Sequence, residues 1–98
     1  MIENKTSSVV IAASAVIGTS GKPGYLHGIT CMHAGAAAIS LAQVYDGTDA
    51  TGTEKWRIGT PNTATASKSV SKLNIYCPSG IYVALSNAIV TIEYSACV

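Results

Sequence analysis

Phenylalanine is absent from this 98-residue chain, tryptophan occurs once, and charged residues make up only 11%. An ordinary soluble domain carries about 25% charge. Six Lys and Arg stand against five Asp and Glu, for a net charge of +1. These numbers leave no basic stripe for general electrostatic binding to nucleic acid. Long apolar runs are also missing. No segment approaches the ~20 residues that a membrane-spanning helix needs. Disorder is excluded from the other direction, because hydrophobic residues reach 48% and disordered chains are apolar-poor. Cysteine is sparse and odd in number, with Cys31, Cys77 and Cys97. That is no disulfide framework; the count allows one bridge plus one free thiol, and buried reduced thiols are the favoured reading.

What is present fits one small domain. A chain of this length hides roughly 60–65% of its unfolded surface, so its core is thin. A lone soluble protein keeps a charged, mixed surface. A chain with so few charges is therefore expected to be covered by other chains, as an assembled structural protein is. The apolar run Val9 to Ile17 has the length of a secretory core, but Glu3 and Lys5 precede it and it is β-branched. It is read as a strand following a polar arm over residues 1–8, with the domain over 9–98.

Helical stripes with caps are lacking, and Gly35 interrupts the one Ala-rich stretch. Strand patterns recur between Gly, Pro, Asn and Asp. The pattern predicts six to eight strands: 8–17, 25–33, 37–45, 54–58, 69–77, 81–85 and 89–94. Asp46-Gly47 and Pro78-Ser79-Gly80 are turn signals. The last two runs read as a hairpin about Ser86-Asn87. Such spacing predicts an all-β fold, a single small antiparallel β-sandwich of jelly-roll type.

Several groups invite a chemical reading. His27, Cys31 and His33 share strand parity, which places them on one face. His27 and His33 would then stand about 20 Å apart, too far for one metal. Cys31 with His33 lacks an orienting third group. Asp46, Asp49 and Thr51 fall short of the oxygens that calcium requires. No catalytic, cofactor or metal residues are assigned, and the chain is expected not to be an enzyme. Trp56 between Lys55 and Arg57 fits an interface anchor, since Trp and Arg are enriched at such sites, and it fits a cap on the sandwich core equally well. Ile2, Asn4 and Lys5 of the arm, with Pro61 and Asn62 of the 59–68 loop, complete the candidate contacts. The arm is expected to add a strand to a neighbour's sheet edge.

Two segments carry a resemblance. One is Val44 to Gly52, a strand running into Tyr-Asp-Gly-Thr-Asp-Ala-Thr-Gly. The other is Cys77 to Ser86, followed by Ala88 to Tyr94. Their order resembles small all-β virion proteins of tailed bacteriophages. The resemblance implies a capsid decoration or cement protein that binds the outer face of the major capsid protein. It implies a homo-oligomer, most often a trimer, located on the virion and assembled in the host cytoplasm. It implies no cofactor, no nucleic acid and no membrane. The alternative is another virion part, such as a head–tail connector, a baseplate component or a glycan-binding fibre tip.

Overall fold

The computed structural model describes residues 6–35, 38–63 and 65–96. Among these the chain forms nine strands: β1 (Ser7–Ile11), β2 (Ala15–Ile17), β3 (Gly24–His33), β4 (Ser40–Asp46), β5 (Thr53–Thr60), β6 (Ser67–Val70), β7 (Ile75–Cys77), β8 (Ile81–Ser86) and β9 (Ala88–Ala96). They make two antiparallel sheets. The first has the order β1-β9-β3-β6, with β7 also beside β3, and the second has the order β2-β8-β4-β5. β6 and β7 flank the same stretch of chain and act as one interrupted strand. Counted so, first pairs with last, second with second-last, and inward to the β4–β5 hairpin. That nesting is the jelly roll expected from the strand spacing.

Alternation decides what each strand buries. In β4, Ser40, Ala42 and Val44 face in, while Leu41, Gln43 and Tyr45 face out and are half-buried. In β9, Val90 and Ile92 face in against Ile29 and Cys31 of β3. The core between the sheets is built from Ile17, Leu26, Ile29, Val44, Ile58, Ile81, Val83, Val90 and Ile92, with Cys31 and Cys77. Burying one such aliphatic side chain contributes about 1.5–3 kcal/mol. β-Branched residues dominate because they suit the pleated surface.

Four features depart from the sequence reading. The run 8–17 is two strands in different sheets. Ala12-Ala13-Ser14 carries the chain across, and Ser14 Oγ accepts from Leu85 N–H at 2.9 Å beside β2. Ser7, placed in the arm by polarity, pairs with Tyr94 in β1. The run 69–77 is broken into β6 and β7, with Lys72 at φ 59° between them. This break has a partner in β3, whose pairing with β9 shifts between Leu26 and Gly28. The bulged His27 carbonyl accepts from Leu73 N–H at 2.8 Å. Finally, β8 and β9 are no hairpin. They lie in opposite sheets, and Asn87, at φ 50°, carries the crossing.

Candidate functional site

The Lys55-Trp56-Arg57 segment lies on β5, an outer strand of the second sheet. Val44 pairs with Trp56 and Tyr45 with Glu54, so Lys55 is the extra residue of a bulge. A bulge shifts strand parity by one. It turns Glu54 onto the outer face beside Arg57, which an uninterrupted strand would send to the opposite face. Arg57 Nε and Nη2 then donate to the two Glu54 carboxylate oxygens, each at 2.9 Å, and Gln43 Nε2 donates at 3.1 Å. The Arg57 hydrogen bonds, with help from Gln43, hold the Glu54 carboxyl below the usual carboxylate range. Glu54 in turn raises the Arg57 guanidinium. Trp56 points the other way and packs against the core, with Nε1 buried and without a hydrogen-bond partner among the described residues. The three residues therefore point in different directions. They line a ≈ 520 Å³ depression together with Glu54. Pro61 and Asn62 are exposed just past the end of β5. Ile2, Asn4 and Lys5 lie outside the described residues.

The shared face expected for His27, Cys31 and His33 is broken by the β3 bulge. His27 sits on the outer side, stacked on Tyr25 at 6.3 Å, with Nε2 2.7 Å from Ser95 Oγ. Cys31 and His33 face in, but each is committed elsewhere. Pro61 O can only accept, and it takes the Thr60 hydroxyl at 3.3 Å. The Ser40 hydroxyl therefore donates to Thr60 Oγ1, and Cys31 donates to Ser40 Oγ at 3.6 Å. Cys31 thus sits at the end of a buried hydroxyl chain. His33 Nδ1 accepts from Gly35 N–H at 3.0 Å, which puts its proton on Nε2, 2.8 Å from the Ala38 carbonyl. Asn87 Nδ2 donates to that same carbonyl at 2.8 Å. The histidine pins the loop between β3 and β4 to the Asn87 crossing.

The acidic loop is likewise spent on backbone. Asp46 Oδ1 accepts from Ser79 N–H at 2.7 Å and so links the two turn signals. Asp49 Oδ1 accepts from Thr51, whose hydroxyl and then N–H lower its pKa. Among the described residues, no three His, Cys, Asp or Glu side chains gather as a metal site would require. No helix among them is long and apolar enough to cross a membrane.

The sheet edges differ in a way the sequence reading missed. β5 carries a bulge, Lys55 and Arg57. β6 carries Lys68, and β7 and β2 have three residues each. Charges, bulges and shortness all blunt an edge. β1 is five consecutive residues, Ser-Ser-Val-Val-Ile, with no charge and no interruption. Val10 stands 63% exposed on its outer face, and Val9 and Ile11 are half-buried at the rim of the core. The available signal was the uncharged β-branched triplet 9–11, which burial alone seemed to explain.

No protein-family model matches this chain, and no curated protein matches it. Among solved structures it is similar to a chain of Bacillus endospore appendages, described as a family of disulfide-linked pili. The identity is 17% and the TM-score 0.43, over 97% of this chain and 90% of that one. An overlap of that quality says nothing about function.

Proposed function

We propose that the chain is a structural subunit that acts by assembly onto a repeated protein surface rather than by turnover. The observation that supports this reading is the open, uncharged β1 edge with Val10 exposed beside it, in a chain with 11% charged residues. A row of free backbone donors and acceptors is a template for a strand from another chain. The Val44 to Gly52 and Cys77 to Tyr94 resemblance supplies the setting. The protein would decorate the outer face of a phage head, bind the major capsid protein, and attach as a symmetric oligomer, a trimer in that setting. Bivalent attachment across neighbouring capsid subunits raises the effective concentration of each further contact.

A tail or fibre-tip glycan binder is the second reading. It is favoured by the rings on the outer face of the first sheet, where Tyr25 lies 5.0 Å from Tyr76, itself 45% exposed. Trp56, Tyr25 and Tyr45, the aromatics such a site would draw on, do not share one surface. Trp56 packs inward on β5, Tyr25 lies on the first sheet, and Tyr45 lies on the second beside Tyr82.

Gold-labelled antibody against the chain, applied to particles released from cells carrying its native gene, tests the assignment. Label spread over whole heads is the expected result. Label confined to tails selects the second reading, and particles without label sink both.

A further inference from the structure

We infer that β1 is a self-pairing edge: β1 of one copy lies antiparallel to β1 of a second copy across a twofold axis, joining two first sheets into one. The inference deepens the assembly reading by naming the partner, but it concerns the purified chain alone and does not depend on which surface the protein covers.

Three observations carry it. First, β1 is the outer strand of its sheet, held on one side by β9 from Ser7↔Tyr94 to Ile11↔Val90, so its other side faces no strand among the described residues. Second, every other edge among the described residues is protected by charge, a bulge or brevity, so the openness of β1 is selective. Third, the partner this edge suits is one like itself. A charged strand laid along Ser7–Ile11 would meet no counter-charge on β1 and would desolvate its own ions against Val9, Val10 and Ile11. An uncharged β-branched strand pairs without that cost, and β1 is such a strand. Antiparallel self-pairing is isologous, so it uses up both edges at once and stops at two copies.

The contact is small. Five residues span about 17 Å, so a single strand pair buries well under the roughly 1,000 Å² that marks a firm interface. The dimer is therefore a weak, concentration-dependent one, with monomer prevailing in the low micromolar range. It does not produce the trimer of the phage resemblance, which would need a contact between unlike surfaces.

The test is sedimentation equilibrium on the full chain from about 1 μM to about 1 mM, read alongside amide hydrogen exchange. The expected mass rises from one copy to two, and exchange slows with concentration within Ser7–Ile11. Val10→Lys is expected to weaken the dimer at least about tenfold, because the side chain is exposed and the change leaves the core intact. Ile39→Lys, equally exposed at 62% but directly before β4 of the other sheet, is expected to leave dimerisation unchanged. A monomer throughout, a trimer, an open series of larger species, or equal weakening by both substitutions overturns the inference. Should Val10→Lys fail to fold, the wild-type exchange pattern decides: no slowing at β1 overturns it. Head labelling with a monomeric chain in solution would sink this pairing and leave the decoration reading standing.

Discussion

At the scale of single residues, several buried polar groups of this fold complete their hydrogen bonds locally. Cys31, Ser40 and Thr60 form one chain that ends on the Pro61 carbonyl. Cys77 has no such help. Burial, with a smaller push from the Asp46 charge, raises its pKa from 9.0 to about 11. The neutral thiol is the form the folded state favours. Its contribution is thus fully present below pH 9 and is lost as pH rises through about 11, because the unfolded chain ionises first. Two pKa units correspond to roughly 2–3 kcal/mol. Chemical denaturation at stepped pH is expected to show that fall. Iodoacetamide at pH 8 is expected to leave Cys77 unmodified in the folded protein and to alkylate it once urea unfolds the chain. Rapid native-state labelling of Cys77 would contradict the burial argument. Tight turns impose a second kind of local constraint. A Cβ added at Gly52 would drive into the Asp46 carbonyl, so the β4–β5 turn closes only without a side chain there.

Elements in this molecule are shaped as much by their interruptions as by their alternation. The β5 bulge at Lys55 makes the Glu54–Arg57 pair possible. The β3 bulge at His27 is matched by the gap between β6 and β7, and Leu73 N–H ties the two irregularities together. Lys72 holds the gap in the left-handed region at φ 59°, which costs a non-glycine residue roughly 1–2 kcal/mol and a β-branched one more. Lys72→Val is accordingly expected to lower stability by about 1 kcal/mol, whereas Lys72→Asn, a residue that tolerates this region, is expected to be neutral or better. Urea midpoints of the two variants check this. Equal midpoints would mean that the gap relaxes without using that conformation.

For the whole molecule, the nested pairing makes the two ends of the chain interdependent. β9 is the last strand in sequence yet lies between β1 and β3 in the first sheet. Truncation after Asn87 removes Val90 and Ile92 from the core, takes away the strand that β1 pairs with and leaves β3 paired on one side only. Circular dichroism of that truncation is expected to show an unfolded chain. A cooperative thermal transition in the truncated protein would refute the claim that the first sheet is built around β9. The same nesting means that most pairings close long loops, so folding on the millisecond-to-second scale of β-rich topologies is expected.

Much of this was legible in residue order. The all-β class, the seven apolar runs, the turn signals at Asp46-Gly47 and Pro78-Ser79-Gly80, and the shortage of charge come from period-two alternation and composition, which are local properties. Inward faces such as Val90 and Ile92 follow from the same rule. Partner choice does not. Val9 to Ile17 looks continuous because each residue suits a strand, yet its halves serve different sheets. His27 shares parity with Cys31 on paper, and one bulged residue moves it to the other face. Lys55, Trp56 and Arg57 are neighbours in sequence and point apart in space. The β1 edge becomes visible only when the order of strands is known, because an edge is defined by the strand that is not beside it. Residue types thus determined that this chain would form short strands around a small aliphatic core. Long-range packing alone decided which strands meet and which side stays open, since backbone pairing is nearly blind to sequence and is set by how the whole chain closes its core.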